Sequence, residues 1–426
     1  MQPNVMQLPQ DITLLHLPDG GFRTGRLAAV LAVPLREATA AQYAILPGLL
    51  TRCCREYPTV TAFNRRLDSL YGATVQADTL RLGQWQVICL SISYLRQQYT
   101  LHKENLAQQA ARLLLDLLLD PMQENGAFRE ADFAQEKRIL LERLHAEINN
   151  KRQYARHQCE RLLCPNDPYS VNPCGTVDTV SALTPRDAVQ ALDTLLATAR
   201  IHFIYQDEGD GAALADAIRQ RFAALPPRRV VKPKPADAFT FKEDRLTEKM
   251  PLKQAKLVLG LRIAATEPHG PVMAARLMNT LLGGCPSSLL FRHVREEKSL
   301  CYYCASTYDR FHGVMLIDSG VETADAGRTK DEILRQLEAI REGIFTDDEL
   351  EDARRSLIQR FAAMDETPAD REAWYLSQTL YDRYTTPKDT VAALAAVTRD
   401  EVCRAARTVH LDSVYLLHPE DEEATV

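Results

Sequence analysis

The side chains with chemical potential are ten cysteines, ten histidines and the carboxylates near them. In Arg52-Cys53-Cys54-Arg55 two thiols lie between two cations, surroundings that favour a nucleophilic thiolate. No histidine partner accompanies them, so buried structural cysteines are expected there. Cys301-Tyr302-Tyr303-Cys304 has the C-x-x-C spacing of metal and redox sites. On a period-two strand, however, positions three apart point to opposite faces, so neither use is expected. Glu142 and His145 form one Glu-x-x-His at helical spacing. A di-iron centre would need a second copy, and a solvated helix face is the simpler reading. His157, Cys159 and Cys164 would add ligands only through a fortunate fold, and no two histidines stand four apart to share one helix face.

The elements that must carry these residues follow from periodicity and breakers. Ile12–Leu17, a turn at Pro18-Asp19-Gly20-Gly21 and a strand from Arg26 to Leu35 read as a β-hairpin. A helix is expected over Ala40–Cys54, ended by Pro58, and another over Ala62–Tyr71, stopped at Gly72. Strands Ala73–Leu80 and Gln84–Ile92 flank Gly83, helices run on through Cys164, and a strand at Ile201–Tyr205 closes the half. Four prolines and four cations between Pro226 and Pro235 favour an extended, solvated linker. Beyond it the order repeats: strand Leu257–Ile263, helices Pro271–Leu282 and Ser287–Glu297, a strand pair Cys301–Tyr308 and Val314–Val321 around Gly313, then long helices. Val177–Thr184 and Val391–Thr398 agree even in wording.

The chain is thus expected to be a tandem duplication: a unit at 1–225, a linker at 226–238 and a second unit at 239–426. Each unit should be α+β, a mostly antiparallel sheet with helices on one side, and the two should face each other across a chamber. Composition agrees with a folded chain: 426 residues, 46% hydrophobic and 25% charged. With 51 basic against 57 acidic residues, a net charge of −6 and no basic block, nucleic acid is not an expected partner. No leader pattern opens the chain and no apolar run spans a bilayer, so a cytoplasmic protein with reduced thiols and no membrane partner is expected.

The stretch Leu281-Leu-Gly-Gly-Cys-Pro-Ser-Ser-Leu-Leu-Phe-Arg-His-Val-Arg-Glu-Glu-Lys-Ser-Leu-Cys-Tyr302, set in this duplicated layout, resembles the insulinase and pitrilysin superfamily of inverted-motif zinc peptidases. The likeness covers nearly the whole chain. Gly283-Gly284, Ser288-Leu289-Leu290-Phe291 and Arg295 through Tyr302 match stretches of that family's C-terminal unit, with Ser299 where the family has glycine. Active members hold zinc with His-x-x-Glu-His on the first long helix. The matching residues here are Thr51-Arg52-Cys53-Cys54-Arg55. Thr51 is a feeble ligand, Cys54 replaces the base, and Arg55 puts a permanent cation where an imidazole should meet a dication. The family's further carboxylate ligand would fall near Glu142 or Arg143. No metal or other cofactor is therefore expected in this chain.

What the resemblance implies about function follows from those residues. In the family, the arginine and tyrosine matching Arg295 and Tyr302 reach toward the metal-bearing unit, where they hold the substrate carbonyl and steady the tetrahedral intermediate. Gly283, Gly284 and Ser288 would line the substrate. From the residues alone, Arg295 equally suits the end of a helix capped by Ser287 or Ser288. Some members work as pairs, one chain supplying zinc and the other the arginine and tyrosine. This chain then resembles a half-site subunit, inactive alone, whose partner is a related chain with an intact His-x-x-Glu-His and zinc, and whose substrate is a peptide. Phe133-x-x-Glu136-Lys137, Lys151-x-x-Tyr154-Ala155, Pro168-Tyr169 with Gly175, and Leu67-Asp68-x-Leu70-Tyr71-Gly72-Ala73 are similar to a bacterial group without the metal motif. That group is linked with modification of elongation factor P by a 5-aminopentanol group. The competing expectations are an inert peptide-binding or scaffold protein in such a pathway, and a thiol enzyme using Cys53 or Cys54.

Overall fold

The computed structural model describes residues 2–18, 21–234, 243–267 and 270–420. They form two compact units. The first contains Met1–His145, Val171–Pro235 and Met364–Thr386, and the second Ala146–Ser170, Ala236–Ala363 and Pro387–Val426. The expected contiguous division thus gives way to an exchange. A segment from the first half of the sequence completes the second unit, and one from the second half completes the first. Of the linker, residues 235–238 lie outside the described residues. Its earlier part is extended but not free: Arg229 and Val231 donate backbone hydrogen bonds to Ala197 and Thr198, and the Arg228 guanidinium reaches the Gln10 carbonyl at 2.8 Å.

In the first unit, strands Asn4–Leu8, Ile12–Leu17, Arg200–Gln206, Thr24–Pro34, Trp85–Leu95 and Thr74–Leu82 lie side by side in that order. Ile12–Leu17 runs parallel to Arg200–Gln206, and the other neighbours are antiparallel. The expected hairpin between Ile12–Leu17 and the following strand does not form, because Arg200–Gln206 is inserted between them. Its turn residues Asp19 and Gly20 are outside the described residues. Ile12–Leu17 instead pairs with the preceding Asn4–Leu8, across the three-residue connection Pro9-Gln10-Asp11, in which Gln10 and Asp11 are at positive φ.

The second unit orders its strands Tyr303–Asp309, Val314–Val321, Ala255–Arg262, His410–His418, Asp244–Lys249. Only the last pair is parallel. Leaving aside Asn4–Leu8, both sheets follow one scheme: first strand beside last, last beside second, second beside fourth, fourth beside third. The duplication inferred from element order therefore extends to strand pairing.

Period-two alternation decides which face each helix covers. In Thr24–Pro34, Leu27, Ala29, Leu31 and Val33 join the main core with the leucines of helix Leu106–Leu119. Each such leucine contributes about 1.5–3 kcal/mol when fully removed from water. Arg26 lies on the opposite face, where the exchanged segment is fastened. Its Nε and Nη2 donate to the two oxygens of Glu372 on helix Pro368–Leu376 at 2.7 and 3.0 Å. In the second unit Val258, Leu316, Tyr415 and Leu417 pack on Ala155, Cys159 and Leu163 of helix Lys151–Leu163. The second face of each sheet is thus met by the segment that arrives by exchange.

Candidate functional site

The expected helix over Ala40–Cys54 is two short ones, Glu37–Ala44 and Leu46–Leu50, with Pro47 and Gly48 in the second. The helix stops at Leu50. Thr51 Oγ1 donates back to the Pro47 carbonyl at 2.9 Å, and Cys54 enters an isolated antiparallel bridge with Pro121. Thr51, Cys54 and Arg55 consequently do not share the single helix face that a His-x-x-Glu-His motif needs. In place of metal chemistry there is a guanidinium. Arg52 Nε binds Asp132 at 2.9 Å and its Nη1 binds Glu136 at 2.8 Å. Both acids stand one turn apart on helix Glu130–Asn149, and their side chains are 17% and 12% exposed. Arg129 joins the cluster, 2.9 Å from Asp132 and donating to Cys53 Sγ at 2.7 Å.

The carboxylates facing this segment are therefore Asp132 and Glu136. Glu142 instead pairs with Arg138 at 2.6 Å on an exposed face, and Arg143 reaches Asp78 at 3.3 Å. A contact between residues eighty apart leaves no mark in local spacing, although Glu136 stood in a stretch already singled out. Gly48 shows how closely the acid is seated. A Cβ there would lie 2.1 Å from Glu136 Oε2, so the missing side chain is what admits the carboxylate.

Cys53 and Cys54 are 3% and 0% exposed, and burial is the main cause that pushes both thiols above their ordinary pKa. That environment opposes the poised thiolate. Burial also raises Cys159, and raises Cys164 to about 12. Among the described residues, no group of three or more His, Cys, Asp or Glu side chains could hold a metal ion. The donor set at positions 51–55 does not fit zinc: a threonine, two protonated thiols and two guanidiniums offer no imidazole or carboxylate.

The second unit holds the other candidates. Helix Val272–Asn279 continues as a wider turn through Thr280–Gly284, and Leu290–Glu297 forms another such helix. Gly283 packs against strand Tyr303–Asp309 so closely that a Cβ would sit 2.8 Å from the Ser306 amide. Ser288 is 1% exposed. These two positions face the interior, and packing explains them. Gly284 is partly exposed, and its carbonyl accepts from Arg360 at 3.0 Å. Neither Ser287 nor Ser288 caps the helix by its side chain; the N-cap position is Leu289.

Arg295 is exposed, its guanidinium 4.7 Å from the Phe291 ring centre. No ion pair engages it among the described residues. Tyr302 is 59% exposed, and its hydroxyl donates to Glu322 at 2.7 Å, which raises the phenol pKa. Glu322 was not anticipated, since it lies beyond the paired strand. Between these residues Ser299 adopts φ 51°, the left-handed region in which glycine is at ease. The family's glycine at that position thus has a conformational reason, and the serine here carries some strain.

Cys301 and Cys304 correct the sequence argument. Cys301 precedes the strand, which begins at Tyr303, so strict alternation does not govern it. The two thiols interact: Cys304 hydrogen-bonds the Cys301 sulfur and lowers its pKa, with the Arg295 charge acting in the same direction. His145 lies on helix Glu130–Asn149, and the His157 ring contacts Gln153 at 3.1 Å.

Comparison with known proteins accords with this picture. Residues 209–357 match the family model described as the peptidase M16 inactive domain. Among curated proteins, the "Probable inactive metalloprotease YmfF" of Bacillus subtilis is 26% identical over 402 residues, covering 93% of each chain. The "Uncharacterized zinc protease YmxG" of the same organism is 22% identical over 60% of each. A crystal structure of a conserved protein from Enterococcus faecalis superposes with a TM-score of 0.91 at 23% identity, covering 99% of this chain and all of that one. The peptidase M16 inactive domain from Pseudomonas fluorescens gives 0.80 at 16% identity over the whole of both chains. The fold is that of the M16 peptidases. Over residues 209–357 the chain is thus similar to the M16 inactive domain, and over nearly its whole length to the Bacillus subtilis protein, while residues 51–55 carry no His-x-x-Glu-His motif. No helix among the described residues is long and apolar enough to cross a membrane.

Proposed function

We propose that this chain is the metal-less subunit of a two-chain peptidase, inactive alone, which lends Arg295 and Tyr302 to the zinc centre of a related chain carrying His-x-x-Glu-His. A peptide enclosed in a chamber is the substrate. The observation that carries this reading is the contrast between the two candidate regions. At position 52 the guanidinium is internally satisfied by Asp132 and Glu136, and Arg129 shares Asp132. Arg295, by contrast, is an exposed cation stacked on Phe291 with no carboxylate upon it among the described residues. An unengaged guanidinium can bind a substrate carbonyl and the oxyanion formed from it. For Tyr302 to assist, its hydroxyl must turn from Glu322 to the substrate. Gly283 and Ser288 then support the substrate wall from within, and Gly284 is the member of that set nearer the surface.

The test is a peptidase assay on the purified chain, on its zinc-bearing relative and on their mixture. Cleavage is expected only in the mixture, and Arg295→Ala should slow it about 10²-fold, the usual loss of one oxyanion donor. Unchanged rates in both Arg295→Ala and Tyr302→Phe mixtures would remove their assigned role. One tightly held zinc and unaided cleavage by the isolated chain would remove the metal-less assignment.

A second reading, an inert peptide-binding or scaffold protein in a translation-factor modification pathway, draws support from the Tyr302 hydroxyl, whose proton is already committed to Glu322. A stable complex recovered without peptide turnover, and indifferent to both substitutions, would favour it.

A further inference from the structure

We propose that Cys301 and Cys304 are an oxidation site, a dithiol that closes to a disulfide directly beneath Tyr302. The geometry begins with the strand. In Tyr303–Asp309 the inward positions are Cys304 and Ser306, 7% and 4% exposed. Continued alternation would turn Tyr302 inward and Cys301 outward. The opposite is found: Tyr302 is 59% exposed and Cys301 only 8%. The chain bends at Tyr302, directly before the strand begins, and so breaks the alternation. Cys301 therefore shares the buried side with Cys304, and both thiols are free.

Their environments differ in the way a reactive and a resolving thiol differ. Cys301 is lowered by the hydrogen bond from Cys304 and by the charge of Arg295, whereas that same hydrogen bond, with burial, raises Cys304. Cys53, Cys54, Cys89, Cys159 and Cys164 are all pushed up by burial, so each of these is a poorer thiolate than Cys301. The Cys301 thiolate attacks hydrogen peroxide, the O–O bond breaks, and sulfenic acid forms while the departing hydroxide takes a proton to become water. Cys304 gives up its proton and attacks the sulfenic sulfur, the S–S bond forms, and a second water leaves. Two thiols are oxidised and one peroxide is reduced. A dithiol reductant reverses the change.

The bond would span Tyr302 and Tyr303 and take up the Cys301 sulfur on which the Arg295 charge acts, altering the surroundings of both residues to which the proposed function assigns a role. That regulatory consequence rests on the proposed function; the disulfide itself does not. The chemistry is read on the full chain alone: brief exposure to a few equivalents of hydrogen peroxide at neutral pH, alkylation of remaining thiols, digestion and mass spectrometry. The peptide containing both cysteines should appear lighter by two hydrogens and unalkylated, and should regain two alkyl groups after dithiothreitol. Full alkylation of both cysteines after peroxide, or separate over-oxidation without a cross-link, would overturn the disulfide. In the mixture with the zinc-bearing relative, oxidised chain should support cleavage several-fold more slowly, recovering on reduction. Equal rates would overturn the regulatory role while leaving the disulfide standing.

Discussion

A single methyl group at position 48 probes the arginine that occupies the degenerate motif. Gly48 lies in a short helix where alanine would normally be the better residue by up to about 1 kcal/mol. Here an alanine Cβ would stand 2.1 Å from Glu136 Oε2 and 2.8 Å from its Cδ. Ordinary contact is about 3.5 Å, so the carboxylate must withdraw by more than about 1 Å and abandon its 2.8 Å bond to Arg52. Exposed pairs are worth about 0.2–1 kcal/mol, and breaking a buried pair costs about 3–5 kcal/mol. With these side chains 12–19% exposed and Arg52 keeping Asp132, Gly48→Ala should destabilise by about 2 kcal/mol. In a Glu136→Ala background the obstacle is gone, and the same methyl group should become neutral or stabilise by up to about 1 kcal/mol. Urea unfolding of the four proteins completes the cycle. Equal cost in both backgrounds would refute the argument that Glu136, held by Arg52, is what position 48 must accommodate.

Other outcomes follow from the same reasoning. Arg26→Ala should cost about 3–5 kcal/mol, because it leaves Glu372 with its ion-pair partner removed at 8% exposure, and limited proteolysis should then cut within 364–386 first; protection equal to the parent chain would count against that fastening. Ser299→Gly should raise stability by about 1 kcal/mol in thermal melts, since it relieves a left-handed serine, and a lowered midpoint would contradict the strain. Hydrogen bonds from Arg335, Lys298 and Gln336 hold Glu332 at about 2, below its ordinary carboxylate value of 4.5 despite burial. Its contribution is therefore present above about 4.5 and lost as pH falls toward 2. Glu332→Gln should flatten the acid limb of a urea-midpoint series in that window, whereas an unchanged limb would place the loss elsewhere.

What could be read from residue order and what could not divide along physical lines. The hairpins around Gly83 and Gly313 were legible because short apolar runs and a glycine at positive φ are local signals. The insertion of Arg200–Gln206 beside Ile12–Leu17 was not, since pairing between residues nearly two hundred apart has no local trace. The loss of metal-binding side chains at 51–55 was plain from residue types. That the segment leaves the helix to form the Cys54–Pro121 bridge is a tertiary fact. Cys301 was misjudged because the strand begins two residues later than expected, at Tyr303, so that alternation does not set the face on which it lies. Arg295 and Tyr302 were found by resemblance, but the acceptor of the tyrosine's proton had to be seen.

The exchange of segments 146–170 and 364–386 makes synthesis and folding run out of step. A ribosome that has delivered the first 235 residues has not delivered the first unit, whose sheet still awaits the glutamate that neutralises Arg26. That unit can close only after most of the second has emerged, and a nick in the proline-rich connection would leave two fragments each holding a part of the other's fold. Separately expressed halves should therefore recover their native form only when brought together.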